Sequence, residues 1–175
     1  MSNIYLIRHG ETYFNEFYNS QKKTFKEKIL DKNWNPFIFP EWMDLNEKGK
    51  KDANFVAEYF KMIQIKNVSI YSSNTKRSLD TAEKTREVLG IRKIMIDNRL
   101  NEINVPWEKS NSLVNLEDFL KEINSLDKLL LFTHGNLIYQ FLKSLDCQPL
   151  YKIQNGSVML IKNFKYPNQE IMRVV

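Results

Sequence analysis

The sequence predicts an α/β fold: a three-layer α/β/α sandwich with a mostly parallel central sheet and an antiparallel edge strand. Apolar runs of strand length alternate with stretches of helical period, the signature of a sheet covered by helices. The run "KLLLFT" at 128–133 is apolar almost throughout, as in a strand buried on both faces. The chain's two histidines, in "LIRHGET" and "LFTHGN", each follow such a run and precede a glycine. In open α/β sheets, sites form at the carboxyl ends of the strands.

Each element has its own signal. Residues 3–7 are a β-rich run. Asn46 is a candidate cap for a helix to about Met62, with Ala53, Val56, Ala57, Phe60 and Ile63 at helical spacing. "NVSIYSS" reads as a strand. Asn74 or Thr75 caps the next helix, whose face carries Leu79, Ala82, Thr85 and Leu89, and Gly90 ends it. "KIMI" is a short strand. Leu116, Phe119, Leu120, Ile123 and Leu126 mark a helix before 128–133, and Leu137, Ile138, Phe141, Leu142 and Leu145 mark one after it. Strands near 157–162 and 170–174 close the chain.

At 175 residues, 42% hydrophobic and 27% charged, the chain is expected to form a single domain over 1–175. Two stretches break the rhythm. Residues 16–44 hold Phe17, Tyr18, Phe25, Trp34, Phe37, Phe39 and Trp42, and residues 101–115 hold "EINVPWEKS". Long irregular connections often act as lids, so both are expected as cap or lid insertions. The aromatics of the first also suit a small satellite core.

Composition narrows the function classes. Cys147 is the single cysteine, which excludes an internal disulfide and a Cys-based zinc site. The N-terminus reads as a folded strand, so no signal peptide is expected, and no apolar run approaches the roughly 18 residues of a membrane span. A cytoplasmic, metal-independent protein without a cofactor or membrane partner is the expectation. The net charge of +5 fits attraction to anions but does not by itself imply nucleic acid. Lys22, Lys23, Lys26 and Lys28 lie among Tyr18, Phe25 and Trp34, which could suit phosphates and stacked bases. A solvated helix face is the favoured reading, and no nucleic-acid partner is expected.

The residues at the strand ends suggest one chemistry. Arg8 and His9 end the first strand, Arg77 lies in the first helical turn after another, Glu102 follows "NRL", and His134 ends the fourth. A lone histidine after a strand is ordinarily structural, and Arg77 or Glu102 alone would be an ordinary surface residue. Together they fit phosphoryl transfer, which needs positioning and charge stabilisation more than covalent chemistry. Arg grips phosphate bidentately, helix N-termini at Gly135 and near Arg77 add N–H groups, and a neutral imidazole attacks phosphorus. Nearby cations would keep His9 neutral. Glu102 is the candidate general acid, with Glu108 its rival, and His134 is expected to bring a charged donor to the phosphoryl oxygens.

"LIRHGET" followed by Asn15 resembles the signature of the histidine phosphatase superfamily, the phosphoglycerate mutase-like family. "DLNEKGKKDA", "IYSSNTKRSLDTAE", "RLNE" and "FTHGN" resemble its later segments, in family order. The resemblance implies that His9 is the phosphorylated nucleophile, that Arg8, Arg77 and His134 complete the phosphate pocket, and that Asn15 adds a side-chain amide. It implies that Gly135 and Asn136 contact the transferred group or substrate, that Glu102 donates the proton, and that no metal is needed. The family's usual Gly-Arg-x-x-Gly stretch is absent, and Lys109 stands where the family's Trp-Glu-Gly ends in Gly. Mutases of the family carry extra segments between the acid and the second histidine; the short span here favours a phosphatase acting on a small phosphorylated substrate, with a phosphoprotein also compatible. The alternatives are phosphoglycerate mutase-type transfer and a non-catalytic phospho-ligand-binding protein.

Overall fold

A computed structural model describes residues 2–20, 43–102, 111–123, 128–145, 147, 152–165 and 168–173. Its elements are β1 (Ser2–Arg8), α1 (Tyr13–Ser20), α2 (Glu47–Met62), β2 (Ser69–Ser72), α3 (Lys76–Leu89), β3 (Ile94–Ile96), a short 3-10 turn (Asn98–Leu100), α4 (Asn111–Glu122), β4 (Lys128–Thr133), α5 (Gly135–Ser144), β5 (Val158–Lys165) and β6 (Asn168–Arg173). The expected Leu126, the 21–42 and 103–110 stretches, Glu108 and the lysines from 22 to 28 lie outside the described residues.

The six strands lie in the order β3-β2-β4-β1-β5-β6. β3, β2, β4 and β1 are parallel, and β5 runs antiparallel to β1 and to β6. The expected mostly parallel sheet is present. Its antiparallel strand, β5, pairs with β6, which takes the edge position.

Side-chain alternation along the central strands explains the layers. Ile4 and Leu6 of β1, with Leu129 and Leu131 of β4, pack with Phe119 and Leu120 of α4 and Phe141 and Leu142 of α5. Tyr5, Ile7, Leu130 and Phe132 point the other way, onto Val56 and Phe60 of α2 and Ala82 of α3. An unbroken apolar run such as "KLLLFT" is therefore required, because both faces are dry. Among the described residues, no helix is long and apolar enough to cross a membrane.

The caps follow the sequence signals. The Asn46 side chain accepts the Gly49 N–H at 2.8 Å and starts α2. Gly90, at φ 64°, ends α3 in the left-handed conformation. Two features differ from expectation. Helix α1 occupies the start of the 16–44 stretch: Thr12 Oγ1 accepts the Asn15 N–H, and Asn15 Oδ1 accepts the Thr12 N–H, a reciprocal cap built with Asn instead of Glu or Gln. In α3, Leu79 and Leu89 are only half-buried, while Ser78 and Thr81 are fully buried beside Ala82 and Thr85. That face serves hydrogen bonds as well as packing: Ser78 pairs with Ser72 at 3.0 Å, and Thr81 Oγ1 accepts the Gly10 N–H at 3.1 Å.

The loop after β1 crosses the first turn of α2 at backbone contact. A Cβ on Gly49 would fall 1.9 Å from the Glu11 carbonyl oxygen, and one on Gly10 2.4 Å from that of Gly49. No flexible side chain can yield there. Gly49→Ala is therefore expected to lower stability by about 2–3 kcal/mol in urea unfolding, the upper range for overpacking, and to displace the loop behind His9.

Candidate active site

Parallel pairing brings the reactive groups to one level. Arg8 lies opposite Thr133 and Ser72 opposite Phe132, so His9, Ser73 and His134 leave adjacent strands together. The His9 N–H donates to the Thr133 carbonyl and the Ser73 N–H to that of Phe132, each at 3.0 Å.

His9 is 4% exposed. Its Nδ1 donates to the Gly10 carbonyl at 2.7 Å, which leaves the lone pair on Nε2. Arg77 Nε points at that lone pair from 3.3 Å. Burial, then Arg77, then Arg8 hold His9 well below the ordinary histidine range, against the opposing Gly10 bond. The expected neutral nucleophile is what this environment favours.

His134 is fully buried, with its ring centroid 5.2 Å from that of His9. Its Nδ1 lies 3.3 Å from Arg77 Nη2. A guanidinium has no acceptor, so Nδ1 must accept. The proton of the neutral ring therefore sits on Nε2, 2.9 Å from Ser73 Oγ and 3.4 Å from Thr75 Oγ1. Burial foremost, with His9, Arg77 and Arg8, pushes His134 well below its ordinary value. In this arrangement His134 Nδ1 accepts from Arg77, and the two arginines already in the crevice disfavour a third positive charge there.

Arg77, in the first turn of α3, spans both imidazoles and donates through Nη1 to Met43 Sδ at 3.6 Å. Arg8 is 8% exposed and donates to the Ile153 carbonyl. Its Nε is buried without a hydrogen-bond partner and lies under Gly135, where a Cβ would stand 3.1 Å away. Glycine at 135 thus lets the guanidinium slide beneath the start of α5. Burial lowers the pKa of both arginines, and the Glu102 carboxylate opposes this at both.

Glu102 joins through α5, where its Oε1 accepts the Leu137 N–H at 3.3 Å. The loop carrying it is pinned to the sheet. Thr133 Oγ1 donates to the Leu100 carbonyl at 2.6 Å, and the Asn74 N–H donates to Asn101 Oδ1 at 3.2 Å. Arg99 ties the same loop to α4, bonding Asp97 and Glu122 at 2.7 Å each and lying 4.8 Å over the Phe119 ring.

Arg8, His9, Arg77, His134 and Gly135 therefore meet directly, and Glu102 stands within their field. Asn15 connects through a residue that sequence reasoning missed. The Asn155 amide donates to the carbonyls of His9 and Gly10, at 3.2 and 3.3 Å, and to Asn15 Oδ1 at 3.2 Å. Its only local signal is the "NG" turn pair at 155–156. Asn136 is exposed in the first turn of α5. Ser73, Thr75 and Thr81 belong to "IYSSNTKRSLDTAE", and nothing in that segment alone marks their hydroxyls as part of the crevice.

Two guanidiniums, one with an unpaired N–H, a helix N-terminus and an imidazole lone pair make a site for a tetrahedral anion. Among the described residues, no group of three or more His, Cys, Asp or Glu side chains is placed to hold a metal ion.

The sequence model of the histidine phosphatase superfamily (branch 1) matches residues 37–117. No curated protein matches by sequence. The chain is similar in structure to a mycobacterial glucosyl-3-phosphoglycerate phosphatase (TM-score 0.67, 16% identity, covering 99% of this chain and 98% of that one). It is also similar to phosphoserine phosphatase of Entamoeba histolytica, solved as an H9A variant with phosphoserine (TM-score 0.64, 18% identity, covering 98% and 95%). A third similar structure is a mycobacterial hydrolase (TM-score 0.67, 18% identity, covering 100% and 98%). At these identities the structures speak for the fold: the chain has the fold of the histidine phosphatases it is similar to, and its residues 37–117 match the sequence model of that superfamily.

Proposed function

We propose that the chain hydrolyses phosphate monoesters through a phosphohistidine on His9. The observation that carries this reading is Nε2 of the buried His9 facing the Arg77 guanidinium while Nδ1 bonds the Gly10 carbonyl. That nitrogen attacks phosphorus, and the bond to the ester oxygen breaks. Arg77 and Arg8 turn their N–H groups to the equatorial oxygens, where charge is spread in the transition state. The Asn15 amide and the start of α5 at Gly135 and Asn136 add neutral donors. Glu102, as its carboxylic acid, protonates the leaving oxygen. As carboxylate it then takes a proton from the water that attacks the phosphohistidine, the N–P bond breaks, and inorganic phosphate leaves. The two arginines supply the positive charge, so the reaction as proposed needs no metal. The proposed substrate class is a small phosphate monoester. The phosphatases similar in fold support hydrolysis over mutase-type transfer, as does the short span between Glu102 and His134.

The test uses a generic phosphate monoester in EDTA. Wild type is expected to release inorganic phosphate, and His9→Ala to lose roughly 10³-fold or more of kcat. Arg77→Ala is expected to lose about 10²- to 10³-fold, the scale for one donor at developing charge. Undiminished turnover by His9→Ala sinks the reading, and isomerised ester without free phosphate points to a mutase.

The pH profile has a definite sign. The pKa of His9 is depressed, so its neutral, nucleophilic form persists as pH falls through the ordinary histidine range near 6.5. A plot of kcat/KM against pH, corrected for the ester's own phosphate ionisation at about 6, is expected to show no acid limb near 6.5 from His9; a remaining limb there, abolished by no other substitution, contradicts the neutral-nucleophile assignment.

A further inference from the structure

We propose that Ser73 and Thr75 act as a tautomer switch that turns neutral His134 from hydrogen-bond acceptor into donor when a phosphoryl group enters, an inference that rests on the phosphatase reading above. In the resting site His134 Nδ1 accepts from Arg77 Nη2 at 3.3 Å, and Nε2–H points to Ser73 Oγ at 2.9 Å. A phosphoryl oxygen is an acceptor, so Arg77 turns its N–H groups toward it. For Nδ1 to contribute as well, it must carry a proton.

Two routes exist. The ring can gain a second proton and become imidazolium, or it can move its proton from one nitrogen to the other. The groups facing His134 are Arg77, Arg8 and His9, with the Glu102 carboxylate on the first turn of α5. In the resting site the arginines and burial oppose the first route, and the second adds no charge to the ring. The second route needs a partner for Nε2 that donates as readily as it accepts, because a bare buried nitrogen is costly. A serine hydroxyl does both. Ser73 is fully buried, its Oγ lies 3.0 Å from Thr75 Oγ1, and Thr75 is half-buried. Thr75 is the N-cap residue of α3, yet its side chain makes no cap bond and is turned to this pair instead.

The resting chain runs Nε2–H to Ser73 to Thr75. In the switched chain, Thr75 O–H donates to Ser73, and Ser73 O–H donates to the bare Nε2. The ring takes a proton at Nδ1 from water and returns the Nε2 proton to water through the hydroxyl pair, so its charge is unchanged. Ser73 and Thr75 are thus positioning residues: they act on phosphate only through His134.

The chain's two histidines make the test direct. Protein labelled with ¹⁵N-histidine is titrated with orthovanadate at pH 7 and its ring nitrogens are followed by NMR. In free protein, His134 is expected to be protonated on Nε2 and bare on Nδ1. With vanadate bound, it should be protonated on Nδ1 and bare on Nε2. Ser73→Ala should lose the switch and about 10²-fold in kcat, with KM changed much less, and Ser73→Thr should restore most of both. Thr75→Val, at the less buried position, should lower kcat severalfold while the fold is retained. If vanadate shifts His9 and esters are hydrolysed, but His134 keeps its Nε2 proton or carries protons on both nitrogens, the switch alone is overturned. Wild-type kcat in folded Ser73→Ala overturns it as well. If vanadate moves neither histidine and no ester is turned over, the phosphatase reading fails and takes the switch with it.

Discussion

The crevice is governed by the cost of burying positive charge. Arg8, at the end of β1, and Arg77, in the first turn of α3, are both largely out of water; the Glu102 carboxylate acts on both, and those of Glu11 and Asp52 on Arg8. Two imidazoles packed against them therefore stay neutral, because each further proton would add a cation to a site that already has two. A neutral imidazole has one lone pair, and the protein decides where it points by binding the other nitrogen. The Gly10 carbonyl takes the Nδ1 proton of His9, and the hydroxyls of Ser73 and Thr75 take the Nε2 proton of His134. Both lone pairs consequently converge on one guanidinium. The negative charge that this cluster lacks is what the proposed phosphoryl ligand brings.

The convergence depends on backbone contacts that leave no room for a side chain. Gly10 presses on Gly49 at the start of α2, and Gly135 lies over Arg8 at the start of α5. The Asn46 cap, the Thr81 hydroxyl under Gly10 and the Asn155 amide then fix the loop after β1 from three directions. Each of these groups acts on His9 through main-chain atoms. The reactive imidazole is thereby oriented by the sheet and two helices, not by its own rotamer preference.

Much of this was legible in the sequence because hydrophobic period reports burial directly. β4 is apolar throughout because both its faces are covered, and Asn46 and Gly90 cap their helices through residue-specific chemistry. Helix α1 escaped because its reciprocal cap uses Asn15 in place of Glu or Gln. The buried face of α3 was partly misassigned, since counting apolar positions finds Leu79 and Leu89 but not Ser78 and Thr81, whose burial serves hydrogen bonds. The candidate catalytic residues were legible by type and by their place at strand ends. The hydrogen-bonding role of His134 was not, because residue identity does not say which nitrogen meets Arg77. Asn155 was invisible for a different reason: only the pairing of β5 with β1, far apart in sequence, brings it beside His9.

Chemistry and selectivity are assigned to different parts of the chain. The groups proposed to touch phosphorus sit on strand ends and first helical turns, which packing on two faces makes stiff. The described residues bordering 21–42 are tied to the same crevice, Asn15 in α1 through Asn155, and Met43 through the Arg77 guanidinium. The expectation that residues 16–44 act as a cap thus meets the crevice at a described residue, Met43, and at Asn15 just before the stretch.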